Sequence, residues 1–124
     1  MFHFRYDSKE TYDSKFGALG SPYEECRAEG IAHYLVFEPK VLDIFGFRNP
    51  TEMGNLIYAT YFELVLAGIE SLKMYSPPGR KWLQAHSQAN YVLLRVLLES
   101  AECRELIKID LVERSEKDGK FTKV

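Results

Sequence analysis

Three features predict a mainly α-helical fold that closes on a C-terminal β-hairpin. A helix-start signal stands at Ser21-Pro22-Tyr23-Glu24, apolar residues recur at helical spacing through most of 51–101, and after Ala101 the apolar period shortens to two. With 124 residues, 46% of them apolar, the chain is long enough for one domain with its own core and too apolar for disorder.

Residues 1–20 are polar and aromatic and end in Gly17 and Gly20, which predicts an irregular arm. The near-duplicate Tyr-Asp-Ser-Lys at 6–9 and 12–15 is too short to make a repeat architecture. Ser21 is the expected N-cap of the first helix, with Pro22 at the first helical position and Glu24 completing a Ser-x-x-Glu capping box. That helix should run to Val36 or Phe37, because Pro39 disfavours helical geometry in the residue before it. A short helix from Pro39 to Phe45 should end at Gly46, in the left-handed conformation that glycine adopts without strain.

Thr51 is expected to cap a long helix from Glu52 to about Tyr75, with Leu56, Tyr61, Leu64, Val65, Leu72 and Met74 on its apolar face. Ser76-Pro77-Pro78-Gly79 should stop it. A last helix should cover Lys81 to about Ala101 and turn Trp82, Ala85, Ala89, Val92, Leu93, Val96 and Leu97 inward. Leu106, Ile107, Ile109, Leu111 and Val112 then read as a strand, and Asp118-Gly119 as the hairpin turn before Phe121-Thr122. The expected organisation is an arm over 1–20, helices over 21–101 and a hairpin over 104–124. The return strand stops at Val124 after about five residues, the look of a chain taken out of something larger.

A net charge of −2 argues against nucleic acid or an anionic membrane as the main partner, since both need a concentrated basic face. No stretch approaches the roughly 18 apolar residues of a spanning helix. His3, Arg5, Asp7, Lys9 and Glu10 are followed by no apolar signal region. Cys26 and Cys103 lie on separate segments, which suits two reduced thiols and a cytoplasmic location.

Chemistry concentrates at Glu24, Glu25 and Glu29. Glu25 and Glu29 are four apart, share a helix face, and repel by a few tenths of a kcal/mol. Either that face is solvated, with the acids complementing the helix dipole, or a cation sits between them. Small Ala28 and Ala32 flank the pair and permit a close approach. His33 extends the row by one more turn, but the three span about 12 Å along the axis, so at most two neighbours could share one ion. His86 stands among Gln84, Gln88 and Asn90 on an otherwise apolar helix, and reads either as a structural hydrogen-bonding residue or as a functional one. Arg95 among leucines and valines suggests an ion pair with a buried acid, and both cysteines read as small core residues. Glu102-Cys103-Arg104-Glu105 echoes the acidic motif without its capping box. There is no Gly-rich phosphate loop, no Gly-x-Ser-x-Gly, no Cys-x-x-Cys and no His-Glu-x-x-His.

Glu24-Glu25-Cys26-Arg27-Ala28-Glu29, preceded by Thr11-Tyr12-Asp13-Ser14-Lys15-Phe16 and followed by Ile44-Phe45-Gly46-Phe47, resembles the dipeptidyl-peptidase III family. So does Trp82-Leu83-Gln84-Ala85-His86, leading into Arg95-Val96-Leu97-Leu98-Glu99. The resemblance covers roughly residues 10–101 in order. It implies a cytosolic zinc exopeptidase that removes dipeptides from the N-termini of short peptides, and a chain that is part of the helical, metal-binding lobe of a two-lobed enzyme. It further implies that Glu25 is the third zinc ligand and that Glu24 and Glu29 orient two ligating histidines from a His-Glu-x-x-x-His helix. Two histidines and a glutamate would leave zinc an open fourth position. By the same resemblance His86 holds substrate and the developing oxyanion, and Gln84 and Arg95 line or support the substrate cleft.

The departures are informative. His3, His33 and His86 are nowhere spaced as a two-histidine helix requires, so that helix and its catalytic glutamate are expected upstream of Met1. Asn90 stands where many members carry a basic substrate-binding residue, and His33, outside any family motif, reads as a helix-surface residue. The isolated chain is therefore expected to be inactive, the missing remainder of the enzyme being its natural partner. The rival is a non-catalytic helical interaction module, or a subunit that completes the site by association. A self-contained metal site of Glu25, Glu29 and His33 is a third alternative.

Overall fold

The computed structural model describes residues 7–103, 105–110, 112–114 and 121–123. The fold is mainly helical: α1 spans Tyr12–Phe16, α2 Gly20–Leu35, α3 Pro39–Ile44, α4 Pro50–Glu70 and α5 Ala85–Glu99. Two short antiparallel pairs complete it, β1 (Tyr75–Ser76) with β2 (Lys81–Trp82), and β3 (Val112–Arg114) with β4 (Phe121–Lys123).

The expected irregular arm is helical from Tyr12. Thr11 and Ser14 cap each other, with Ser14 N donating to Thr11 Oγ1 at 3.2 Å and Thr11 N to Ser14 Oγ at 2.9 Å. The Phe16 ring then meets Tyr12 in a tilted contact at 4.7 Å and stacks on Tyr23 at 5.1 Å. Gly17, at φ 49°, turns the chain into a single 3-10 turn over Gly17–Leu19 that feeds α2 without a break. Tyr12 Oη donates to the Gly20 carbonyl at 2.6 Å, and its ring leaves no room for a Cβ at Gly20. The helix therefore starts at Gly20 with no side-chain cap, and Ser21 is not its N-cap. Glu24 and Glu25 accordingly lie beyond the first turn, where the dipole argument for acids weakens.

Two other boundaries move for local reasons. Asn49, not Thr51, caps α4: its Oδ1 accepts from Thr51 N at 2.8 Å, and Pro50 takes the first helical position that its fixed φ suits. At the far end α4 tightens into a 3-10 turn over Ser71–Met74, which rotates Leu72 and Met74 out to solvent. The last helix begins at Ala85 because Lys81–Trp82 pair back onto Tyr75–Ser76, in the register Tyr75↔Trp82 and Ser76↔Lys81. Gly46 adopts φ 87° after α3, as expected.

Arg80 closes the β1–β2 turn at φ 47°, its N–H donating to the Pro77 carbonyl at 3.2 Å. A side chain in that region costs about 1–2 kcal/mol, against about 0.5–1 kcal/mol of extra chain entropy for glycine. Arg80→Gly is expected to stabilise the fold by about 0.5–1 kcal/mol and to raise Tm by a few degrees in a thermal melt. An unchanged or lower Tm would remove the strain assigned to this turn.

The core is small and lies where α4 and α5 meet α2. Leu64, Leu94, Ala89, Val36 and Leu42 are its buried apolar side chains, and Ser71 is tied in by donating to the Ala67 carbonyl at 2.6 Å. Gly68 of α4 faces Leu94, where a Cβ would come within 2.5 Å of the leucine Cβ. Val92 and Val96, expected inside, are 42% and 59% exposed. Helical spacing puts both the 92/96 row and the 93/97 row on one broad stripe, and packing against α4 selects Leu94 beside the second.

The C-terminal pair forms in the register Val112↔Lys123, Glu113↔Thr122 and Arg114↔Phe121. The Asp118-Gly119 turn lies outside the described residues. Most of the alternating run is not strand: the N–H groups of Leu106 and Ile107 both turn back onto the Cys103 carbonyl at 3.0 Å. Both cysteines are free thiols, and among the described residues no helix is long and apolar enough to cross a membrane.

Candidate functional site

Helix α2 carries Glu25 and Glu29 one turn apart on the face that meets α5. Opposite them stands His86, the second residue of α5. The imidazole lies between the two carboxylates, with Nδ1 3.0 Å from Glu25 Oε2 and Nε2 3.5 Å from Glu29 Oε1. Each ring nitrogen faces one carboxylate oxygen, an acceptor for whichever nitrogen carries a proton. The group that stands between the two glutamates is thus a histidine supplied from 61 residues along the chain.

The helices meet closely just behind this cluster. Ala89 is fully buried one turn below His86, and the Cys26 thiol donates to its carbonyl with sulfur at 3.9 Å. Burial pushes the Cys26 thiol up from its ordinary value and keeps it protonated as a weak donor. The small residue that permits the approach is Ala89, on α5, while Ala28 faces solvent.

Glu24 is turned to another face of α2, where it accepts from Arg27 Nη1 at 2.8 and 3.0 Å. Both partners are about half exposed, so the pair adds little stability. Gln84 is the N-cap of α5, its amide oxygen accepting from the Ser87 N–H. Arg95 lies nine residues beyond His86, half a revolution round α5 and about 13 Å along it. There it binds Glu99 and reaches Tyr91 Oη at 3.5 Å, and hydrogen bonds to Tyr91 and Glu99 hold the guanidinium above its ordinary value. The fold thus brings Glu25, Glu29 and His86 together, sets Gln84 at their edge, and places Glu24 and Arg95 elsewhere.

His33 corrects the surface reading, since only 14% of its side chain is exposed. Its Nδ1–H donates to the Glu29 carbonyl at 2.7 Å, and its ring meets Tyr61 edge-on at 5.6 Å. Tyr61 Oη in turn donates to the His33 carbonyl at 3.3 Å. That bonding draws Nδ1 away from any shared site with Glu25. Among the described residues no group of three or more His, Cys, Asp or Glu is placed to hold a metal ion. Glu25, 40% exposed, therefore offers one carboxylate donor but not a ligand set.

A groove of about 550 Å³ opens beside the cluster between α2, α4 and α5. Glu29, His33, His86 and Asn90 line one side of it, and Thr60 and Glu63 the other. Thr60 and Glu63 did not stand out in sequence. The available signal was a threonine and a glutamate interrupting the apolar row of α4, one turn from Leu56 and Ala67 respectively.

The sequence pattern of Peptidase family M49 matches residues 2–123. A protein of Rattus norvegicus named dipeptidyl peptidase 3 is 50% identical over 97 residues, 78% of this chain and 13% of that protein. Its Homo sapiens counterpart is 48% identical over the same shares. One from Nematostella vectensis is 43% identical over 115 residues, 93% of this chain and 15% of the relative. The chain thus spans about one-seventh of the length of the relatives it matches.

Proposed function

The chain belongs to peptidase family M49, and on that premise we propose that it forms part of a zinc-dependent dipeptidyl-peptidase that releases N-terminal dipeptides from short peptides. The observation that carries this reading is the meeting of Glu25, Glu29 and His86: two sequence motifs 61 residues apart converge on one polar cluster beside an open groove.

Glu25 would give its carboxylate to the metal, whose remaining ligands, a pair of histidines, come from a segment outside these 124 residues. A zinc ion in such a site supplies Lewis-acid polarisation of a carbonyl. Glu29 would accept the N–H of one of those histidines, and Glu24, on the adjoining face of α2 and released from Arg27, that of the other, and so fix their tautomers. With Glu25 and Glu29 so engaged, His86 would keep its place beside them on the first turn of α5 and direct an N–H toward the substrate carbonyl oxygen, stabilising the charge that develops there. Gln84 and Arg95 belong to the same proposal as support for the cleft, acting through α5. The two free thiols, Cys26 and Cys103, fit a reducing compartment such as the cytoplasm.

A second reading, a complementing subunit or interaction module, draws on the surface. Tyr34, Ile44, Phe45 and Tyr58 are each more than 70% exposed, more large apolar surface than a self-sufficient monomer usually shows.

The test is a chimera in which this chain replaces the matching stretch of the rat relative, assayed on a dipeptidyl-arylamide. Release of the dipeptide, stopped by a chelator, is the expected result, with no release by the chain alone. A chimera that folds and binds zinc but cleaves nothing would contradict the peptidase reading. Chelator-sensitive cleavage by the chain alone would overturn the need for a partner segment.

A further inference from the structure

Helix α5 begins where a chain of contacts ends. Its first turn carries His86, and the strand before it is held from two directions. On one side Leu83 N donates to the Met74 carbonyl at 2.8 Å, which locks β2 to the end of the α4 segment. On the other the Trp82 ring packs against Tyr75 and Tyr91, each with centroids 5.3 Å away. Between that anchor and His86 lies Gln84. Its backbone is extended, at φ −149° and ψ 129°, and its side-chain oxygen accepts from the N–H of Ser87, the third residue of the helix. Glutamine is not a preferred N-cap; the preferred ones have short side chains, whose oxygen reaches the third amide with fewer torsions to order. Here the longer side chain makes the bond and satisfies one of the orphan amides of the first turn.

We propose that Gln84 is a positioning residue. By capping Ser87 it fixes the first turn of α5, and so holds the His86 imidazole between Glu25 and Glu29. The amide oxygen that the family resemblance would assign to the substrate cleft is already spent on the helix. The catalytic meaning of this rests on the proposed role of His86, but the cap itself does not, and it can be read in the chain alone.

The experiment compares the wild-type chain with Gln84→Ala and Gln84→Ser by amide hydrogen exchange at Ser87 and by the ring-nitrogen resonances of His86. Position 84 is not adjacent to Ser87, so the intrinsic exchange rate of that amide is unaffected by the substitutions. Gln84→Ala is expected to speed exchange at Ser87 roughly fivefold to tenfold, the usual effect of losing a cap, and to shift the His86 ring resonances as the imidazole leaves its acids. Gln84→Ser, which keeps a capping oxygen on a shorter arm, is expected to restore both. Unchanged exchange in Gln84→Ala would overturn the cap. Faster exchange with unmoved His86 resonances would reduce Gln84 to a local structural residue, and failure of Gln84→Ser to rescue would show that the oxygen is not what matters. None of these outcomes depends on whether the family's peptidase reaction is ever observed in the assembled protein.

Discussion

Truncating Leu94 to alanine is expected to cost about 2–5 kcal/mol of stability, a large share of what a domain this size possesses. Leu94 is 3% exposed and packs directly onto Gly68, so removing its branch leaves a void at the crossing of α4 and α5, where helix backbones cannot easily close in. The reverse substitution acts at the same point. Gly68→Ala puts a methyl group 2.5 Å from the Leu94 Cβ, inside any tolerable contact, and overpacking of that kind costs about 1–3 kcal/mol. The two should compensate in part: alanine at 94 keeps the Cβ met at 2.5 Å but removes the Cδ2 and Cγ that the new methyl would meet at 2.8 and 3.1 Å. A double variant less destabilised than the sum of the singles, by about 0.5–3 kcal/mol in urea melts, is the expected signature. Simple additivity would mean that the helices do not cross at this pair.

The second large effect is on catalysis. In the chimera, His86→Phe is expected to lower kcat by about 10²–10³ while leaving the bound metal in place, the usual loss when one donor to a developing oxyanion is removed. Phenylalanine keeps a planar ring at this position but offers no N–H, so a loss confined to kcat isolates the hydrogen bond. Equal kcat would remove His86 from the chemistry. A loss of metal in the same variant would instead make His86 part of the metal site.

Much of this was legible in the sequence, and the failures have physical causes. Helix spacing placed α2, α4 and α5, and Gly46 announced the end of α3 because only a left-handed glycine suits that turn. The boundaries that moved did so where two competent signals competed: Asn49 with Thr51, and the Ser21 box with a helical turn already running in from α1. Propensity cannot rank such rivals, since each is worth about a kcal/mol and neighbouring contacts decide. The arm was misread because its capping box uses serine where glutamate or glutamine is the usual partner. At the site, i and i+4 spacing put Glu25 and Glu29 on one face, and their repulsion left two readings open, a solvated face or a group between them. That the partner is His86 was not readable from spacing, because the contact joins residues 61 apart. Arg95 illustrates the opposite limit: it sits within one motif run with His86, yet helical rotation sends it to the other side of α5.

Zinc content of the chimera is the most direct measurement of the role given to the acidic motif. One zinc per polypeptide is expected in the wild-type chimera and in His33→Ala, and none in Glu25→Ala, with all three folded by circular dichroism. Zinc retained in Glu25→Ala, or lost in His33→Ala, would contradict the assignment of Glu25 as the ligand this chain supplies.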